Sequence, residues 1–533
     1  MFNQLVTPVG ESLLLSFLVA VIPTVVVLLL LGVARRPAWQ AALAGLLAGL
    51  LIAVTVWQLP LGLALDSVAA GATFALWPVM WIVFNALVLY NIAVTSGHFD
   101  AFRAWMIANL PNDRGVVLVV IGFSFGALLE GVAGFGTPVA ITSALLIALG
   151  FPALEALTFT LIFNTVPVAF GALGTPVTAL GAVTQLSTQD LGAMIGRQLP
   201  LLAALLPFYV VGLYGGRRSL RRLWPVLAVA GGTFGLAQFV TSNYISYELT
   251  DVAAALSSMI VTILFLKVWR PTPDPEFALN LPAAAKAPGT ITPWHGLIPW
   301  LFLAAVVTVW TTYGINLMGQ ERISWPGLHN QIFITLYDQP YAAIWTFQPL
   351  ATGTAVLMTS IIMAAFFRVS VAGYFKAVAD TFVQLRIAIL TVALVMGLAY
   401  LMNYSGMTYT LGVGVSSAGI FFPLLSAFLG WIAVFLTGSD TSGNTLFGNL
   451  QVVAARQLDL SPVLMAATNS SGGVMGKMIS PQNICTGTAV TGMQGREGQV
   501  LARTFIHSII LTLILGLIVL AQQYLFPWMI PGG

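Results

Sequence analysis

The chain has 533 residues, of which 58% are hydrophobic and only 7% charged, against about 25% charged in a soluble globular protein. No soluble fold covers that much apolar surface, and the same figures exclude disorder. A net charge of +3, with its cations scattered at segment ends, excludes a nucleic-acid surface. A single Cys, Cys485, forms no internal disulfide, and His98, His295, His329 and His507 stand too far apart for a local metal motif. The composition is that of an all-α polytopic membrane protein, with no cofactor expected.

The first apolar run, 13–33, is long enough to span a bilayer and ends at Arg35-Arg36. Residues 1–10 carry no Lys or Arg, which argues against a secretory signal. The run reads as a first transmembrane helix with its C-terminal end in the cytoplasm. Apolar segments follow at 39–58, 62–95, 115–131, 139–150, 153–170, 191–214, 224–241, 248–268, 295–313, 347–367, 384–402, 421–437, 444–455, 463–478 and 503–528. Segments 139–150 and 444–455 are too short to span and read as re-entrant. Segments 97–113 and 366–380 read as short interfacial helices. The pattern predicts about 12–14 membrane segments.

Residues 270–292 form a Pro/Ala linker, and 314–346 an aromatic loop with one cation, Arg322, as suits the outside. The other cations gather at Arg35-Arg36, at Arg103 and Arg114, at Arg217-Arg218 with Arg221-Arg222, at Lys267, Arg270 and Lys286, and at Arg368 with Lys376. Placed inside, these clusters put the N-terminus outside, and the C-terminus with it.

The chain also resembles itself. Gly134–Pro138 recurs at Gly438–Ser442, an offset of 304, and Asn164 recurs at Asn469 and Thr175-Pro176 at Ser480-Pro481, both at 305. The span ending at Ser96-Gly97 runs inward and its counterpart ending at Ser405-Gly406 runs outward. The halves are therefore expected to be inverted repeats, each with a re-entrant hairpin and broken helices, which is the signature of a secondary transporter. The expected organisation is N-terminal helices in 1–60 and a first repeat in 61–245, broken at 130–138 and 164–177. Connecting elements follow in 246–346, then a second repeat in 347–533, broken at 437–444 and 469–483.

Irregular backbone at membrane depth must line a cavity or be buried in protein. Gly134 and Gly136 permit unwound chain, and Thr137-Pro138 reads as an N-cap followed by Pro at the first helical position. Helix N-termini converging from both halves make an anion site without many cationic side chains. A small carboxylate fits it, with Thr137, Asn164, Thr175, Ser439, Thr441, Asn444, Asn469, Ser480, Gln482 and Asn483 as candidate polar contacts. The alternative for each hydroxyl is an ordinary bond to a helix carbonyl.

Asp440 and Glu130 lie in apolar sequence at matched breaks. A charge there costs about 2.5–3.5 kcal/mol on the mildest scale, so both are candidate proton-coupling groups. The structural alternative is a cap or an ion pair, for instance Asp440 capping the segment from Ser442. Lys477 has three readings: pairing with substrate, pairing with a protein carboxylate, or snorkelling to an interface.

At these motifs the chain resembles the L-lactate permease family. The resemblance rests on GALLEGVAGFGTPVAIT (126–142), NTVPVAFGALGTPV (164–177), MIGRQLP (194–200), FLTGSDTSGNTLFGNLQ (435–451) and NSSGGVMGKMISPQN (469–483). It implies a proton-coupled importer of L-lactate, D-lactate and glycolate in the bacterial inner membrane, and a homodimer by analogy with the wider ion-transporter superfamily. Against the family pattern, Thr137, Thr175 and Gly443 replace Ala, Ile and Ser, which bears on selectivity among these acids. Sodium coupling within the same architecture is the alternative. A membrane-embedded enzyme built on Glu130 and Asp440 is a further one, but the sequence has no metal motif or nucleophile elbow.

Overall fold

The computed structural model describes the whole chain except Val33, Arg35, Phe135, residues 280–292 and Gly533. Lys286 and most of the Pro/Ala linker therefore lie outside the described residues. Among these, ten helices are long and apolar enough to cross a membrane, or eleven if one bent pair is counted as a span. The expected twelve to fourteen membrane segments also take in shorter apolar helices and both arms of Thr188–Tyr244, which counts once among the ten.

After strand β1 (Phe2–Asn3), helices α1 (Leu13–Ala20) and α2 (Ile22–Gly32) make the first span and α3 (Ala38–Thr55) the second. Helices α4 (Leu61–Phe74) and α5 (Trp81–Thr95) join through wide turns at Ala75–Met80, where Pro78 offers no N–H to the ladder. Short α6 (His98–Ala108) follows, as expected. Then α7 (Arg114–Val117), wide turns over Leu118–Phe125 and α8 (Gly126–Val132) form one span that is buried throughout, so it meets protein and not lipid.

Helices α9 (Thr137–Ala148) and α10 (Ala153–Phe163) make a hairpin, followed by α11 (Gly171–Thr184). Helix α12 (Thr188–Tyr244) folds back on itself at Gly216, where φ is 61° and ψ −160°. Only glycine takes that conformation readily. Helices α13 (Thr250–Val268) and α14 (Ile298–Thr312) lead to a loop with strands β2 (Glu321–Ser324), β3 (Ile332–Ile334), β4 (Gln339–Pro340) and β5 (Ile344–Phe347). Next come α15 (Thr352–Phe366), α16 (Val371–Ser405), α17 (Met407–Val415) and α18 (Phe422–Thr437). Helices α19 (Asp440–Gln457) and α20 (Pro462–Lys477) form a second hairpin, followed by α21 (Pro481–Thr491) and α22 (Glu497–Tyr524). The expected interfacial helix at 366–380 is not separate, because the chain continues from Val371 to Ser405 as one helix capped by Ser370.

The two ends of the molecule differ in chemistry. At one end β1 pairs with β3 and β2 with β5, and the Gln4 amide donates to the carbonyls of Asn403 and Tyr404. The Thr188 and Tyr244 ends of α12 lie on that side, so its Gly216 bend marks the other. There Arg222 pairs with Asp113, and Arg218 with Asp274 and Glu276 at 2.8 and 2.9 Å. The cations at Arg218 and Arg222 are thus held to carboxylates at that end.

Both halves show the same order: helix, break, hairpin, break, helix. They pack reciprocally. Helix α9 of the first half lies against α21 of the second, and α11 against α19. Apolar side chains such as Leu14, Leu18, Leu47 and Leu51 face outward on the early helices, as a lipid-facing surface requires.

Candidate functional site

The four breaks come together. Residues from the starts of α9 (Gly134, Gly136), α11 (Gly171, Ala172, Thr175, Pro176), α19 (Gly438, Ser439, Asp440, Thr441) and α21 (Gln482, Asn483) line one cavity of about 40 Å³ with Glu130 and Lys477. Each helix leaves its first N–H groups without intrahelical partners and presents the positive end of its dipole. Space for a small anion is thus bounded on four sides by groups that favour negative charge.

Local chemistry explains each break. At the first, Gly134 (φ 49°) and Gly136 (φ 84°) turn the chain in left-handed conformation. Gly136 takes the cap position, so Thr137 is the first helical residue and not the expected N-cap. The Thr137 side chain lies outside the described residues. At the second, Ala172, Leu173 and Gly174 all have positive φ, and regular helix begins only at Thr175. The Thr175 hydroxyl donates to the Ala172 carbonyl at 2.6 Å, tying off the turn. For Ala172 and Leu173 that conformation costs about 1–2 kcal/mol each, and strain of this kind gathers at functional sites. At the third, Gly438 (φ 71°) ends α18 and Ser439 caps α19 by accepting from Ser442 N at 3.4 Å. At the fourth, Ser480 caps α21 by accepting from Asn483 N at 3.2 Å, with Pro481 at the first position.

The charged groups are arranged asymmetrically. Lys477 Nζ lies 2.7 Å from Glu130 Oε1, and both side chains are buried. Asn164 donates to Glu130 Oε2 at 2.9 Å. Of the three sequence readings of Lys477, pairing with a protein carboxylate is the one present in this conformation. Asp440 does not cap the helix from Ser442; Ser439 does. Instead Asp440 Oδ2 accepts from Ser470 Oγ at 2.6 Å and Asn444 Nδ2 at 3.2 Å, while buried Oδ1 has no hydrogen-bond partner.

Asn164, Asn444, Asn469 and Ser480, expected as substrate contacts, stand behind the cavity wall and orient what lines it. Asn444 donates to the Pro176 carbonyl at 3.2 Å, holding α19 to the second break. Asn469 donates to Asn444 Oδ1 at 3.0 Å, Gln451 to Asn469 Oδ1 at 3.1 Å, and Ser426 to Gln451 Oε1 at 2.7 Å. Asn483 donates to the Gly438 carbonyl at 3.2 Å, linking the third and fourth breaks. Sequence reasoning missed Ser470, Gln451 and Asp251. Asp251 lies inside an apolar span, a signal that would have found it.

A larger cavity of about 580 Å³ shares Ser439 and Gln482 with the site. Arg36, Gln384 and Cys485 also line it. The two cavities thus share a wall, with the Arg36 cation on the far side of it. Among the described residues no group of three or more His, Cys, Asp and Glu is placed to hold a metal ion.

The L-lactate permease family model matches residues 16–526. The chain is 41% identical to the glycolate permease of Escherichia coli K12, over 99% of each chain. It is 38% identical to the L-lactate permease of Bacillus subtilis 168, over 99% of this chain and 100% of that one. It is 36% identical to the L-lactate permease of Escherichia coli K12, over the full length of both. Among solved structures, the YdaH transporter of Alcanivorax borkumensis aligns over 86% of this chain and 87% of its own, with 15% identity and a TM-score of 0.45.

Proposed function

The chain belongs to the L-lactate permease family and is a multi-pass membrane transporter, not an enzyme, and from that premise we propose that it imports L-lactate, D-lactate and glycolate with a proton. The observation that carries the reading is the cavity bounded by four helix N-termini, one lysine and two carboxyls. The N-termini favour a carboxylate. Thr441, Gln482 and Asn483 line the cavity, and in this reading they meet the 2-hydroxyl.

Charge arithmetic makes a proton part of the cargo. Glu130 and Lys477 cancel. With Asp440 ionised, the side chains of the site sum to −1 and oppose an entering anion; with Asp440 protonated they sum to zero. Oδ1, the oxygen without a partner, is where that proton fits. Proton and lactate then enter together as a neutral load, and the half-loaded site is penalised.

The halves act as inverted repeats, with the hairpins α9–α10 and α19–α20 moving against the outer helices to alternate access. The bacterial inner membrane, with the N-terminus outside, is the location this sidedness implies. A homodimer fits by superfamily analogy alone.

The test is radiolabelled L-lactate uptake into proteoliposomes under an inward proton gradient, without sodium. Wild type accumulates lactate and loses it on adding a protonophore, and Asp440→Asn does not accumulate it. Uptake that requires sodium and ignores the proton gradient would transfer the coupling role to sodium. Absence of both lactate and glycolate uptake by folded protein would overturn the cargo assignment.

A further inference from the structure

Four arginines stand together where α12 folds back. The bend at Gly216 starts a second helical arm, and Arg217, Arg218, Arg221 and Arg222 fill its first turns. Residues four apart share a helix face, so Arg217 aligns with Arg221 and Arg218 with Arg222. All four line an open groove of about 760 Å³, together with residues 272–275. The start of a helical arm adds its own preference for negative charge. The groove shares no lining residue with the anion site.

Arg222 is held in place, yet it is not fully used. Its side chain is only 7% exposed and pairs with Asp113. It donates to the Thr272 carbonyl at 3.2 Å, and its guanidinium lies 5.4 Å from the centre of the Phe277 ring. Its Nε and Nη2 are buried with no hydrogen-bond partner. A buried donor left unmet costs free energy, and a guanidinium presents its donors as a fork that fits two oxygens of one phosphate. Arg218 is taken up by Asp274 and Glu276. Arg217 and Arg221 are exposed and, among the described residues, pair with no carboxylate. Apolar side chains flank the bend: Leu213 before it is 43% exposed and Trp224 after it 59%. Exposed tryptophan in a membrane protein collects at headgroup level, which puts the groove beside lipid phosphates.

We propose that this groove binds a phosphate group, carried by the headgroup of an anionic phospholipid. Arg217 and Arg221 meet the phosphate with charge that no carboxylate cancels, and Arg222 offers it the donors that lack partners. Basic pockets between membrane helices bind phospholipid headgroups in this way. The site touches the transport core through Asp113. That residue caps α7 by accepting from Gly115 N at 2.9 Å and Val116 N at 3.1 Å, and the buried span that starts there carries Glu130.

The test uses the full-length protein in detergent, followed by native mass spectrometry and thermal unfolding, with phosphatidylglycerol, phosphatidylcholine or inorganic phosphate added. Wild type is expected to retain phosphatidylglycerol and to melt at a higher temperature with it, and to do neither with phosphatidylcholine. Arg217→Gln/Arg221→Gln is expected to bind phosphatidylglycerol about twentyfold more weakly, at about fivefold for each cation lost. Both side chains are exposed and unpaired, so the variant should fold. Arg368→Gln/Lys376→Gln removes the same charge at exposed positions elsewhere and is expected to keep wild-type affinity. Equal loss in the two double variants would overturn the site in favour of a general attraction between cations and the membrane surface. Stabilisation by inorganic phosphate as strong as by phosphatidylglycerol would overturn the lipid as the source of the phosphate. No preference of wild type for phosphatidylglycerol over phosphatidylcholine would overturn the proposal as a whole.

Discussion

The buried lysine shows how a single charge organises the site. Lys477 and Glu130 are 347 positions apart in sequence and 2.7 Å apart in space. Removing one member of such a pair leaves the other buried and uncompensated, at a cost of about 3–5 kcal/mol. Lys477→Ala is therefore expected to lower the melting temperature of the detergent-solubilised protein markedly. The double variant Glu130→Gln/Lys477→Met should recover much of the loss, since a neutral pair needs no charge compensation. A single variant as stable as wild type would show that the pair is not held in the folded protein. Asp440 behaves differently. If its proton is required for binding, the apparent KM for lactate in uptake assays should rise with pH about tenfold per unit beyond the carboxyl's titration, and Asp440→Asn should remove that slope. Asp440 and Glu130 stand out in the sequence because ionisable groups in apolar runs are rare. Their differing partners do not, because Ser470 and Lys477 reach them only through the fold.

At the scale of elements, the breaks were legible and their atomic roles only partly. Ser480-Pro481 is a cap in space, because a Ser–Pro start needs nothing beyond its own turn. Thr137 and Thr175 look the same in sequence, yet the glycines before them take over the turn. Close packing makes several helical glycines at the site essential. A methyl group at Gly473 would stand 2.6 Å from Asp440 Oδ1 and 2.6 Å from Val434 Cγ2. Gly473→Ala should therefore impair lactate uptake and destabilise the protein by about 1–3 kcal/mol. Gly498, with open space around its Cα, is the neutral comparison: Gly498→Ala should change neither uptake nor melting temperature. Equal behaviour of the two variants would contradict the packing around Asp440.

At the scale of the molecule, the contacts of α9 with α21 and of α11 with α19 bring four helix starts to one point that neither half builds alone. The cavity leading to this point is lined by Cys485, the single cysteine of the chain, which is exposed there. A membrane-impermeant maleimide should label Cys485 from the cytoplasmic face in inside-out vesicles, and lactate should slow the reaction by filling the site behind it. Labelling from the opposite face alone would reverse the assigned sidedness.

By itself the sequence determined the membrane class and marked the glycine- and proline-rich interruptions of its apolar runs. These follow from local quantities: the length of apolar runs, the placement of glycine and proline, and the rarity of charge in hydrocarbon. Only the tertiary structure decided which carboxyl is paired and which is not, and which asparagines face the cavity and which brace it. Hydrogen bonds and ion pairs depend on distances of a few ångströms between residues far apart along the chain. Those distances are fixed only when the helices pack.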